Sequence, residues 1–412
     1  MVQCCIGSAD LGSAAPVVSV SVADACGDLL ELLGGMHGRV PDRRTGQGRD
    51  HPVAAVLALA AAAVVAGMKG YTAITGWVAD VSAAVLADLY LRAGAVPAGP
   101  PSKTTIWRVL TDTDPELLDS AVGAWLMNLA GFAAPAAGGV DDRVPGGGAL
   151  MQVRLDGKAV RGAKDADGNQ VRLLAALVGP DAASSVIAAQ AEVGKKTNEV
   201  PAAAVVLGQI DLAGKVVTAD ALHTVKATAN CIHDRGGEFV LPVKENRRAL
   251  FDALDALPWR DVPVAHTATD KGHGRITTRT IQVLPAPENL PFPHVSQVFL
   301  IERYVTGLRG QPISAVAALG VASPEPEQAG PGDLARYVRQ QWSIESLHWL
   351  RDTLYQEDNS TVRTRSGPRI MAALRNLAIG ALHLAGRHDT TEATRWASRY
   401  MDRPFTILGL TS

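Results

Sequence analysis

Apolar residues recur at helical spacing through the first third of the chain and begin to alternate, strand-like, from Leu150 onward. The early pattern predicts helices over 24–33, over an alanine-rich stretch after His51, and over 72–81 and 82–93. A further helix follows Ser102, with Ile106, Val109 and Leu110 on its apolar side, and another runs from Asp114-Pro115 to about Leu129. Residues 133–148 are rich in Ala, Gly and Pro and read as a linker. Residues 150–155 then alternate as a strand that ends at Asp156-Gly157-Lys158. A turn at Gly168-Asn169 leads to strands over 171–178 and 185–193, then a helix over 201–209. Val216 and Val217 form a short buried strand ending on Asp220, and Thr224 is placed to cap the next helix. Gly236-Gly237 stops that helix, Phe239-Val240-Leu241 is a strand, and 247–257 is a helix.

The order β-β-β-α-β-α-β-α is that of a ribonuclease H-like sheet, so the expected fold class is α/β. From 262 to about 302 the pattern is β again, with alternation over 276–283 and 297–301. Residues 333–355 read as one long helix, and helices fill the C-terminus. The expected domains are helical over 1–132, a linker over 133–148, the first part of the core over 149–260, a β insertion over 261–332, and an acidic helix with C-terminal helices over 333–412. The helix after Ser102 has a basic, hydroxyl-rich start. It reads equally as part of a DNA-docking helix-turn-helix and as part of a packed helical domain.

Composition narrows the function. The 412 residues are 47% hydrophobic and 19% charged, which suits large cores rather than disorder. The formal net charge is -2, so nucleic-acid affinity must reside in local patches. Cys4, Cys5, Cys26 and Cys231 show no metal-ligand spacing and read as reduced thiols. Residues 52–68 are uncharged but alanine-rich, which predicts a buried helix rather than a membrane span. The N-terminus has no secretory pattern, and a cytoplasmic, nucleoid-associated protein is expected.

Asp156 and Asp220 each end a strand, and in a β-β-β-α-β sheet the first and fourth strands are neighbours. Two carboxylates side by side repel unless a cation lies between them. Oxygen donors suit magnesium, or manganese in its place. Two such ions support an in-line phosphoryl displacement, and Glu345 is the candidate third carboxylate. Gln341, Glu345, His348 and Asp352 share one helical stripe, flanked by Trp342 and Trp349, which are expected in the core. Lys158, Arg161, Lys244, Asn246, Arg275, Arg339 and His348 are candidate DNA contacts beside the metals, against the plainer reading of a solvated charged rim. Arg363, Arg365, Arg369 and Arg375 form a run without an acid, the best candidate for sequence-independent DNA affinity.

A set of ordered motifs resembles the H-repeat-associated (ISAs-type) insertion-sequence DDE transposases nearly end to end. They are Arg49-Asp-His-Pro52, Pro100-Pro-Ser-Lys-Thr-Thr105, Asp156-Gly-Lys-Ala-Val-Arg-Gly162, Lys196-Thr-Asn-Glu-Val-Pro201 and Val217-Thr-Ala-Asp-Ala-Leu-His-Thr224. Val243-Lys-Glu-Asn246, His273-Gly-Arg275, Trp342-Ser-Ile-Glu345, Glu357-Asp358 and Arg375-Asn-Leu-Ala378 continue the series. The resemblance implies an acidic triad at Asp156, Asp220 and Glu345, and magnesium-dependent cutting and joining of DNA. It also implies a homodimer that binds element ends and target DNA, with no role for a membrane. The chain departs from the family at Gln341, usually His, and at Ser343, Ser346 and Thr277. Two other readings stay open: a transposase-derived DNA-binding protein, and a nuclease that does not join.

Overall fold

A computed structural model describes residues 29–34, 40–42, 50–96, 99–132, 150–164, 170–194 and 199–411. The expected linker at 133–148, the Gly168-Asn169 turn, Lys196 to Asn198, and Cys4, Cys5 and Cys26 lie outside the described residues. In chain order the helices are α1 (Leu29–Gly34), α2 (Val53–Val65), α3 (Tyr71–Ala79), α4 (Ala83–Arg92), α5 (Lys103–Asp112) and α6 (Pro115–Leu129). Next come β1 (Met151–Lys164), β2 (Gln170–Gly179), β3 (Val186–Glu192), α7 (Glu199–Leu207), β4 (Lys215–Thr218), α8 (Lys226–His233), β5 (Glu238–Val243) and α9 (Arg248–Asp255). Four long strands follow: β6 (His266–Gly272), β7 (Arg275–Pro285), β8 (Gln297–Gly307) and β9 (Pro312–Ala322). The last helices are α10 (Pro331–Gln340), α11 (Ser343–Thr353), α12 (Gly367–Leu384), α13 (Thr390–Ser398) and α14 (Asp402–Ile407). Local chemistry explains several starts: Ser82, Ser102 and Asp114 accept backbone N–H bonds from the first turns of α4, α5 and α6.

The described residues divide into two compact units that cut across the linear order. One holds 150–156 and 199–346. Its strands run in the order β1-β4-β5-β9-β8-β7-β6, with β1, β4 and β5 parallel and the remaining pairs antiparallel. The expected adjacency of the first and fourth strands is present: Met151 to Arg154 pair with Lys215 to Thr218. Val216, Val240, Ile281, Phe299 and Ile301 pack with Leu334 and Tyr337 of α10. The alternating pattern missed β9 because Pro312 to Ala318 is exposed on both faces, so burial imprints no period there. His273 and Gly274 both have positive φ, 49° and 72°, and form the two-residue turn between β6 and β7.

The other unit holds 29–132, 157–194 and 347–411. α2 is buried from end to end and packs against α1, α3, α5 and α12. Ile106, Val109 and Leu110 of α5 are buried while Lys103 and Arg108 face solvent. α6 lies against β3, and a Cβ at Gly123 would come within 2.0 Å of the Ala188 carbonyl oxygen. The amino-terminal helices therefore share one core with the carboxy-terminal α12, which the linear division into 1–132 and 333–412 separates. Among the described residues, no single helix is long and apolar enough to cross a membrane.

Two elements differ from the sequence expectation where the chemistry is concentrated. β1 does not stop at Asp156 but continues to Lys164, because Val160 and Ala163 pack against Val171 and Leu173 of β2. The helix expected over 333–355 is two helices, broken at Gln341-Trp342, and Glu345 falls in the first turn of α11 rather than mid-helix.

Candidate active site

The pleat of β1 places Gln152, Arg154 and Asp156 on one face. Gln152 is fully buried, and its Nε2 donates to Thr218 Oγ1 at 2.8 Å and to the Tyr337 carbonyl oxygen at 2.8 Å. Arg154 Nη2 donates to Gln340 Oε1 at 3.2 Å. The same face of the strand thus lies under α10 and the start of α11. The paired register with β4 ends at Arg154, so Asp156 emerges just past the end of the ladder, partly exposed.

Asp220 follows β4 by two residues and is exposed at the carboxyl end of a parallel strand, where α/β sheets hold their ligands. Its Oδ1 accepts the Leu222 N–H at 3.0 Å. The loop after it is tied down from the end of β5. Asn246 Nδ2 donates to the Ala221 carbonyl at 3.3 Å, and Arg247 Nη2 to that of Leu222 at 3.2 Å. Thr224 does not cap α8, whose N-cap is Val225; its hydroxyl donates to the Pro242 carbonyl at 2.7 Å. His223 is buried in this loop with Nε2 3.6 Å from the Glu199 carboxylate.

Glu345 is exposed, yet its carboxyl pKa is raised, first by partial loss of solvent and then by the charge of Asp156. The two carboxylates therefore feel each other across the strand–helix junction. Gln341, at the break before α11, spans the same junction. Its Nε2 donates to the Leu155 carbonyl at 2.8 Å, and its Oε1 accepts from Thr218 Oγ1. Among the described residues, no three His, Cys, Asp or Glu side chains close into a metal-binding group. The acids at this junction offer hard oxygen donors only, the set that magnesium and manganese prefer.

The other candidates separate by surroundings. Lys244, Asn246 and Arg275 are exposed beside this unit's strand ends and turns. Arg339 is half-exposed and bonds Asp270 at 2.9 Å, a carboxylate it shares with Arg279 at 2.6 Å. Arg303 lies directly opposite Arg279 on β8. Sequence reading missed Arg279 and Arg303, although both sit at the same strand parity as Arg275 and so were legible as one basic face.

In the other unit, Lys158 is buried, with Asp352 at 2.6 Å, Asp358 at 3.8 Å and Glu357 at 4.0 Å. That environment holds its ammonium among three carboxylates. His348 is buried too. Arg161 is 78% exposed, 3.6 Å from Asp358. Gly162 lets the carbonyls of Glu357, Asp358 and Ser360 lie against β1, within 2.9–3.3 Å of where a Cβ would be.

The arginine run does meet acids, from elsewhere in the chain. Arg369 is buried among Asp119 at 3.4 Å, Glu192 at 3.7 Å and Glu116 at 3.9 Å. Arg375 is buried on Glu357 at 2.8 Å. Arg365 contacts Asp112 but stays 62% exposed, and Arg363 is exposed. Trp342 and Trp349, expected in the core, are 60% and 44% exposed.

Residues 37–126 match the family profile described as "DDE_Tnp_1-associated", and residues 150–380 match that of the "Transposase DDE domain". An "Uncharacterized protein in dhlA 3'region" of Xanthobacter autotrophicus is 32% identical over 59% of this chain and 77% of its own length. The "H repeat-associated putative transposase YhhI" of Escherichia coli K12 is 24% identical over 83% of this chain and 88% of its own. A solved piggyBac transposase synaptic complex with hairpin DNA covers 90% of this chain and 75% of its own at 11% identity. Its TM-score is 0.40, too low to bear on the fold.

Proposed function

The chain belongs to the transposase DDE-domain family and is similar to H repeat-associated putative transposases, and we propose that it cuts and joins DNA at Asp156, Asp220 and Glu345. The observation that carries this reading is that Asp156 and Asp220 follow the paired ends of the adjacent parallel strands β1 and β4, with Glu345 near enough for the Asp156 charge to add to partial desolvation in raising its pKa. Carboxylates held near one another are suited to share a divalent cation. The parallel β1-β4-β5 set, with β2 antiparallel to β3, supports a ribonuclease H-like core, to which β6–β9 add an insertion.

Asp156, Asp220 and Glu345 would hold two divalent cations, which supply an activated water and counter-charge for the leaving oxygen. Asp156 lies within β1, just past the residues paired with β4. Asp220 is held to its loop by the Leu222 N–H, which its Oδ1 accepts. Glu345, in a helix first turn, completes the set. Lys244, Asn246, Arg275 and Arg339 in one unit, and separately Arg161, Arg363 and Arg365 in the other, are candidates to contact the DNA backbone through phosphates, which position without reading sequence. A homodimer bridging two element ends is the assembly this reading expects.

Purified protein incubated with its flanking element ends and magnesium should nick them and then join the freed 3′ ends to a target duplex. Nicking without joining would leave a nuclease. Binding without nicking would leave a DNA-binding descendant of a transposase.

A further inference from the structure

We propose that Gln341 is a positioning residue that sets the spacing of the three acids. This rests on the reading of Asp156, Asp220 and Glu345 as the metal-binding carboxylates. Three backbone segments carry those acids, and one side chain ties all three. Its amide nitrogen donates to the carbonyl of Leu155, the residue before Asp156. Its amide oxygen accepts from the hydroxyl of Thr218, two residues before Asp220. Its own backbone is the break between α10 and α11, one helical turn before Glu345.

The register explains why a side chain is needed here. The β1–β4 ladder ends at Arg154 opposite Thr218, so the Leu155 carbonyl lies beyond it. Gln341 supplies that carbonyl with a donor from outside the sheet. The bond chain continues inward: Thr218 Oγ1 also accepts from Gln152 Nε2, which is fully buried and donates a second bond to the Tyr337 carbonyl on α10. Gln152, Thr218 and Gln341 therefore form a directed relay from the core to the acidic junction. A carboxamide fits because it presents a donor and an acceptor from one planar end. Leucine provides neither. Neutral histidine provides one of each.

The test is Mn2+ uptake by the DNA-free protein, measured by calorimetry beside thermal unfolding, for wild type, Asp156→Asn, Gln341→Leu, Gln341→His and Thr218→Val. Gln341→Leu should weaken Mn2+ binding about 10–100-fold, the usual cost of removing a group that orients a metal ligand. Gln341→His should recover most of it. Thr218→Val should weaken binding in the same direction, and the Gln341→Leu/Thr218→Val double variant should be no weaker than the worse single one. Wild-type Mn2+ affinity in Gln341→Leu, or a loss that follows thermal stability across all variants and is not restored by histidine, overturns the proposal. If Asp156→Asn loses the ion and Gln341→Leu keeps it, the proposal alone falls. If wild type and Asp156→Asn bind Mn2+ alike, the reading of the acidic site falls and takes the proposal with it.

Discussion

Glu345 and Glu357 are the same side chain a short stretch of chain apart, in opposite settings. Glu357 is fully buried between two arginines. Arg351 reaches it through Nε and Nη2, and Arg375 through Nη1 at 2.8 Å. Burial alone would raise its pKa, but Arg351 and Arg375, with Lys158 behind them, pull it down to about 2. Glu345 is exposed, and its pKa moves up, through partial desolvation and then Asp156. An acid surrounded by cations is already neutralised and serves the fold. Glu345 has another acid, Asp156, as the neighbouring charge that shifts it. Burial alone therefore does not set the direction of a carboxyl's shift in this chain, and the sign of the neighbouring charge matters as well.

The largest test of that contrast is catalytic. Asp156→Asn, Asp220→Asn and Glu345→Gln should each reduce DNA cleavage by at least about 10⁴-fold, roughly 5 kcal/mol of barrier, without lowering the thermal midpoint. Asp358→Asn should keep part of the activity, and so should Asp352→Asn, with a loss of stability because it removes the nearest of the three carboxylates around Lys158. Magnesium-dependent cleavage at the wild-type rate by any of the first three would end their assignment.

Glu357→Gln should do the reverse and cost about 3–5 kcal/mol in urea unfolding, since it leaves two buried guanidinium groups facing an uncharged partner. Because the folded pKa of Glu357 lies below the ordinary value, its contribution is present above about pH 4.5 and is lost as pH falls toward about 2. An unfolding free energy within about 1 kcal/mol of wild type at pH 7 would contradict the contrast from the paired side.

Asp119 is the intermediate case. Burial raises its pKa to about 7 against the pull of Arg369 and Gln190. A folded pKa above the unfolded one means that the native state binds the extra proton. Stability should therefore fall as pH rises from the ordinary value of 3.8 through about 7, and Asp119→Asn should flatten that slope. Unfolding curves at several pH values decide it, and an unchanged slope in the variant would count against the buried, protonated carboxyl.

The smallest effect separates the arginines. Arg363→Ala and Arg365→Ala should each lower the log–log salt dependence of DNA binding by about one unit per lost phosphate contact. Arg369→Ala should leave that slope alone and lower the unfolding midpoint, because its buried guanidinium is already engaged by Asp119, with Glu192 and Glu116 nearby. A salt slope that responds to Arg369 rather than to Arg363 would reverse the division.

The sequence by itself determined what is local or set by element order. Ser82, Ser102 and Asp114 start their helices through side-chain oxygens a few residues from the N–H groups they satisfy. Val216-Val217 delivers Asp220 to a strand end, and the β-β-β-α-β order puts the strand bearing Asp156 beside it. These follow from hydrophobic period and backbone chemistry within one element or its neighbour. Only the tertiary structure decided which charges are paired. Arg369 and Asp119 are 250 residues apart, and Gln190 bonds Asn376 across 186. A run of arginines without a sequence-local acid says nothing about acids that folding brings to it. The same limit hid the break at Gln341 within an apparently continuous helical pattern. That residue ends α10 while its side chain bonds a strand carbonyl and a hydroxyl more than a hundred residues earlier, and helical periodicity registers only which face is apolar, not where a side chain is called away to bridge two strands.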